Sequence, residues 1–142
     1  MQLVHQLLED KGRNVWHVEY DASVFDAIST MAEKEVGALM VLKEGKPVGL
    51  VSERDYARKV ILAGRSSRDT PVHTIMSRKV ICATPKQTIE ECMAVMTHKR
   101  VRHLPVIDHK ALIGMISIGD LVKAIIHEQQ FIIEQLEHYI SS

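Results

Sequence analysis

Apolar residues recur at helical spacing in two places, at Val24, Ala27, Ile28, Met31 and Ala32 behind Ser23, and at Ile89, Cys92, Met93 and Met96 behind Thr88. Each run predicts an amphipathic helix with a hydroxyl N-cap. Ser23 with Asp26 and Thr88 with Glu91 have the spacing of a capping box, in which hydroxyl and acid each satisfy an orphan backbone N–H. Two β-type runs follow each helix, 38–42 with 48–52 and 104–107 with 112–117, split by polar turns at Glu44-Gly45-Lys46 and Asp108-His109-Lys110. These predict hairpins. Further helices are predicted over 53–63 and 119–139, and short leading strands over 15–18 and 80–82.

The two halves are in register at one offset. Gly49 and Gly114 lie 65 positions apart, and the same shift superposes Met31 on Met96, Val36 on Val101, Leu39 on Leu104, Ser52 on Ser117 and Asp55 on Asp120. One unit used twice seldom buries its apolar face alone, so the halves are expected to pack together. Each repeat reads β-α-β-β-α, and the expected fold class is α+β: two such repeats packed pseudo-symmetrically into one module. The segment 64–71 is polar and ends in proline, as a linker would, and a helical turn is expected at 72–76. The expected organisation is an N-terminal helix over 1–14, repeat one over 15–64, a linker over 65–76, and repeat two with a long C-terminal helix over 77–142.

Composition narrows the function classes. Lys and Arg number 18 against 18 Asp and Glu, so no global field draws the chain toward nucleic acid or an anionic membrane, and any anion site must be local. Aromatic content of 4% also disfavours single-strand nucleic-acid binding, although Arg54, Arg58, Lys59, Arg65 and Arg68 cluster near the linker. Acidic Glu9 and Asp10 interrupt what a signal peptide would keep apolar, and no stretch approaches membrane-spanning length. Two cysteines ten positions apart, Cys82 and Cys92, suit neither a metal motif nor a disulfide framework. A reducing, cytoplasmic setting is expected.

Both repeats close on glycine, an apolar pair, a hydroxyl, two variable positions and aspartate: Gly49 to Asp55 and Gly114 to Asp120. A hydroxyl three residues before an acid ahead of an apolar helix is itself a capping box, and capping alone accounts for Ser52 with Asp55 and Ser117 with Asp120. It does not account for the recurring glycine. This pattern resembles the closing motif of CBS domains, as do Thr84-Pro85-Lys86-Gln87-Thr88-Ile89 and Arg102-His103-Leu104-Pro105-Val106-Ile107. The resemblance covers about 15–123, and the segments around 52–75 and 113–127 are similar to stand-alone bacterial and plant-organellar CBS pairs without an attached enzyme.

The resemblance implies a non-catalytic regulatory module that binds an adenosine-containing ligand (AMP, ADP, ATP, NAD or S-adenosylmethionine) at composite sites, with the aspartate accepting ribose hydroxyls and the hydroxyl and helix N-terminus meeting phosphate. Around Asp55 it implies Ser52 and Arg54, with Thr84, Ile89 and Val101 from the other repeat beside the base. Around Asp120 it implies Ser117 and Gly119, with Val24 and Val36. Thr84 precedes proline, which biases it toward an extended form with backbone groups free for an adenine edge. Arg102 and His103 stand where such pairs often carry phosphate donors; their counterparts are Gly37 and Ala38, so the two sites are chemically unequal, and Arg54, with Arg58, would serve the Asp55 site. The resemblance also implies a homodimer and a regulated protein partner.

Other chemistries find little support. Eight histidines form no H-x-x-x-H or H-E-x-x-H pattern, and no metal site is expected. No nucleophile elbow, Walker or dinucleotide glycine fingerprint is present, and no catalysis is expected. The seven methionines, among them Met40, Met76 and Met115, read mostly as core filler. The stripe Leu121, Ile125, Ile132, Leu136 and Tyr139 runs beyond what the repeat needs; it suits either a second chain or Leu3, Val4, Leu7 and Leu8 of the N-terminal helix. Beside the sensor stands a second reading from a different class, a ligand-independent interaction scaffold with vestigial clefts.

Overall fold

Helix periodicity behind Ser23 and Thr88 places Val24, Ala27 and Met31 on one buried face, and Ile89, Cys92 and Met96 on another, in the computed structural model, which describes residues 2–141. Chain contacts divide it into two units: Val15–Val80, and the segment ending at Asn14 together with that beginning at Ile81.

In the unit Val15–Val80, β1 (His17–Glu19) pairs in parallel with β2 (Ala38–Lys43), and β2 pairs antiparallel with β3 (Lys46–Ser52). Helix α2 (Val24–Lys34) buries its apolar face against Leu39, Val41 and Val51 of this sheet. Ser23 accepts the Asp26 amide at 3.1 Å, one half of the expected box. The expected linker segment 65–76 packs into this unit: the Thr70 carbonyl accepts the Val24 amide at 2.8 Å, and Val72 and Ile75 are buried in the core.

In the other unit, α1 (Val4–Lys11), α4 (Ile89–Lys99), the hairpin of β4 (His103–Asp108) and β5 (Ala111–Ser117), and α5 (Ile118–Ser141) share one core. It contains Val4, Leu7 and Leu8 beside Ile116 and Leu121. Thr88 and Glu91 form the full capping box. The β4–β5 register repeats that of β2–β3 pair for pair at the same offset, including the shift after Val41 and Val106. Helices α2 and α4 also end alike, on left-handed Glu35 and Arg100, each with φ of 56°.

Three expectations need correction. The second leading strand, expected over 80–82, is a single parallel bridge between Ala83 and Val106. In the first unit the ladder reaches back because the Met40 amide donates to the Trp16 carbonyl at 3.1 Å. The residue in Met40's place is Pro105, which has no N–H to donate, so the corresponding bond to Ile81 cannot form. The helix expected over 53–63 is α-helical only at α3 (Glu53–Tyr56); over Ala57–Ile61 it widens to five-residue hydrogen bonding, with the Leu62 amide on the Ala57 carbonyl at 3.1 Å. The turns expected at Glu44-Gly45-Lys46 and Asp108-His109-Lys110 both tighten to two residues, Glu44-Gly45 and His109-Lys110, all four with positive φ, and their twist matches that of the strands.

The recurring glycine has a structural cause in both units. A Cβ on Gly49 would stand 2.7 Å from Met76 Sδ and 2.8 Å from the Ser77 carbonyl oxygen. That carbonyl is fixed, because Ser77 and Leu50 exchange backbone hydrogen bonds of 3.0 and 2.8 Å. A Cβ on Gly114 would stand 2.7 and 2.9 Å from the two Leu8 methyls. Different segments cross the two strands, yet both need clearance at the same position.

Candidate functional site

Ser52 and Asp55 sit where β3 turns into α3. The Ser52 amide donates to Asp55 Oδ2 at 2.9 Å, the Asp55 amide to Ser52 Oγ at 3.2 Å, and the Ser52 hydroxyl to Oδ2 at 3.1 Å. Lys59, one turn along, ion-pairs with Oδ1 at 3.1 Å and donates to the Ile75 carbonyl at 2.9 Å. The first helical amide, Glu53, is held by the Gly37 carbonyl at 3.1 Å. Arg54 and Arg58 are exposed.

Ser117 and Asp120 repeat this geometry where β5 turns into α5. The Ser117 amide donates to Asp120 Oδ2 at 2.8 Å, the Asp120 amide to Ser117 Oγ at 3.2 Å, and the Ile118 amide to the Arg102 carbonyl at 2.9 Å. Ala124 occupies the place of Lys59, and the cation comes instead from the end of α1: Lys11 Nζ lies 2.6 Å from Asp120 Oδ2 and 2.6 Å from the Met115 carbonyl. Both aspartates therefore carry a capping box and a lysine, drawn from different elements. The box offsets about 0.5–2 kcal/mol of orphan-donor cost at each helix start.

His103, paired with Ser117 across the hairpin, titrates below its ordinary value of 6.5. Burial is the main cause and the Lys11 charge adds to it; Asp120 pulls the other way, and Arg102 lowers it further. The folded state thus prefers neutral His103, and the unfolded chain binds its proton more readily. This contribution is fully present above about pH 6.5 and is lost as pH falls from there through the depressed folded value. Urea midpoints between about pH 5 and 8 should drop on the acid side, and His103→Gln should flatten that slope.

The remaining expected residues fall differently. Val24 and Ile89 are buried first-turn residues of α2 and α4, in the cores of their own units. Val36 and Val101 are half-buried against those same cores. Gly119 is exposed, and a Cβ there would make an ordinary contact with Ser117 Oγ at 3.7 Å. Thr84 corrects its expectation: its amide donates to Gln87 Oε1 at 2.9 Å and its carbonyl accepts the Gln87 amide at 3.2 Å. The turn after Thr84-Pro85 folds Gln87 back, so the backbone groups expected to be free are engaged. Lys11 was missed because nothing local links it to a residue 109 positions away, whereas the four-residue spacing of Lys59 and Asp55 is a readable pair.

Among the described residues no cluster of His, Cys, Asp or Glu could hold a metal ion, and no helix is long and apolar enough to cross a membrane. Cys92 is a buried core residue whose thiol is pushed up to about 11 by burial and by Glu91, and burial also raises the Cys82 thiol.

The fold and motif define a tandem of two repeats, each a helix, a hairpin and a further helix, and each closed by a serine–aspartate pair at a helix start, with a full leading strand in the first. The CBS domain profile matches residues 11–61 and 72–127. The mitochondrial CBS domain-containing protein CBSX3 of Arabidopsis thaliana is 45% identical over 125 residues, covering 84% of this chain and 61% of its own length. A protein with CBS domains from Burkholderia ambifaria, assigned to signal transduction, superposes with a TM-score of 0.86 at 51% identity, covering 90% of this chain and 96% of that one. A CBS-domain containing protein from Agrobacterium tumefaciens superposes at 0.83 and 36% identity, covering 87% and 98%. The chain belongs to the CBS-domain family and carries two copies of the domain.

Proposed function

We propose that this CBS pair is a non-catalytic regulatory module that binds an adenosine nucleotide (AMP, ADP, ATP or NAD) through its serine–aspartate motifs and, as a homodimer, passes occupancy to a partner protein. The ligand contacts are Ser52, Arg54 and Asp55 in one unit, and Arg102, His103, Ser117, Gly119 and Asp120 in the other, with Val24, Val36, Thr84, Ile89 and Val101 as the apolar and polar surroundings of the base. The observation that carries this reading is the neighbourhood of Asp120. Lys11 is ion-paired with a carboxylate at the start of a 24-residue helix, Arg102 contributes a second cationic side chain, and His103, neutral by preference, contributes a ring hydrogen-bonding group. A carboxylate that can accept ribose hydroxyls, beside cations and helix amides that can meet phosphate, suits a phosphorylated nucleoside better than S-adenosylmethionine, whose sulfonium is itself cationic.

The scaffold reading draws support from the capping boxes and the glycine clearance, which explain the motifs without any ligand. Nucleic-acid binding loses ground because Arg68 lies over the Phe25 ring at 3.8 Å, Arg65 donates to Thr74 at 3.2 Å and Lys59 is held by Asp55. The test is a thermal-shift panel of AMP, ADP, ATP, NAD and S-adenosylmethionine on wild type, Asp55→Ala, Asp120→Ala and the double variant. A ligand at a hundredfold excess over its dissociation constant should add about 2.7 kcal/mol. Nucleotide stabilisation lost with Asp120→Ala supports the sensor; no shift in any protein with any compound supports the scaffold.

A further inference from the structure

Only the first turns of α5 are covered by their own unit. Leu121 is buried and Ala124 and Ile125 are packed against the core, whereas Val122, Ile126, Ile133, Leu136 and Ile140 are between 43% and 81% exposed. Those five, with Gln129, follow one another at alternating steps of four and three residues. At about 100° per residue they share one face, along the side of the helix rather than over the core. A seam of this period, unbroken from Val122 to Ile140, is the pattern by which one helix packs along another.

The residues flanking the seam specify the partner. On one side, at seven-residue spacing, stand Lys123, Gln130 and Glu137; on the other stand Ile125, Ile132 and Tyr139. In an antiparallel pair of identical helices the same flank of each copy meets. Lys123 then faces the second copy's Glu137, twice by symmetry, and Gln130 faces its own counterpart near the two-fold axis. The apolar layers in that register are Val122 with the second copy's Ile140 and Ile126 with its Leu136. A parallel pair sets Glu137 beside the second copy's Ile132 and leaves Lys123 without an acid across the seam. From this charge complementarity we propose that the Val122–Ile140 face of α5 docks antiparallel against α5 of a second copy of this chain. The proposal deepens the homodimer reading given above and rests on it, and is independent of which nucleotide binds.

The test is made by sedimentation on the full chain. Wild type should sediment at twice the 16.1 kDa chain mass. Ile133→Glu with Leu136→Glu should give a monomer with an unchanged far-UV spectrum, because both side chains are exposed within a single copy. Lys123→Glu or Glu137→Lys alone should weaken association about tenfold, and the two together should restore it. In a Cys82→Ser, Cys92→Ala background, Val122→Cys and Ile140→Cys proteins should cross-link when mixed and not when oxidised separately. A monomeric wild type overturns both the proposal and the homodimer reading. A dimer that survives the double glutamate variant leaves the homodimer standing and overturns this interface, as does self-cross-linking of Val122→Cys or charge reversal that the double swap does not rescue.

Discussion

Replacing Leu8 with alanine should cost about 2–5 kcal/mol, the range for truncating a fully buried leucine in a site that cannot collapse. Leu8 is fully buried, and its methyls fill the space above Gly114 in β5, beside Ile116 and Leu121. Gly114→Ala alone should also destabilise, by about 1–3 kcal/mol, since its methyl would overlap Leu8. Together the two should cost less than their sum, because the added methyl enters the space the shortened side chain leaves, with a coupling of about 0.5–3 kcal/mol. Urea unfolding of the four proteins, read by amide exchange in α4 and β5, measures this. Strict additivity would show that Leu8 does not occupy the space above Gly114.

Gly49→Val should be comparably damaging, at about 3 kcal/mol or more, and should resist the equivalent rescue. Met76→Ala removes the sulfur that a new side chain would strike, but leaves the Ser77 carbonyl at 2.8 Å. That oxygen cannot withdraw without breaking its bond to the Leu50 amide. The Gly49→Val, Met76→Ala double variant should therefore unfold at no higher urea concentration than Gly49→Val alone, as a fluorescence-detected urea titration would report. Recovery by more than half would mean that the segment at Ser77 is more yielding than its hydrogen bonds imply.

Much of the fold was legible because it is written twice. A single offset places both hairpins, both N-capped helices and both serine–aspartate turns, and the strand registers repeat pair for pair. The departures arise where equivalent positions hold different residues. Pro105 in the place of Met40 deletes one hydrogen bond and with it a strand, a consequence of one missing N–H that the sequence does contain. Lys11 beside Asp120 could not be read, because it depends on where α1 lies in three dimensions. The glycine clearances are likewise tertiary, set by Met76 with Ser77 in one unit and by Leu8 in the other. At the candidate site the chemistry of Asp55, Asp120, Arg102 and His103 was visible in the motif. The occupation of both carboxylates by lysines, and of the Thr84 backbone by Gln87, was not.

Because α1 precedes Val15–Val80 in the chain yet completes the core of the segment that begins at Ile81, it has to wait for the later hairpin and helices before its apolar face is buried. At about 5–20 residues per second, Val4, Leu7 and Leu8 would stay uncovered for several seconds while Val15–Val80, contiguous in the chain, is free to fold around its own sheet. Joining the helix back to its core also closes a long loop, whose entropic cost grows slowly with length but must be met before any contact repays it. The order of synthesis thus leaves the nascent chain with one unit complete and one adhesive helix waiting for its core. In those seconds a neighbouring chain's own Ile81-onward segment could capture α1, and exchange of this helix between copies is the misassembly to which the chain order most exposes it.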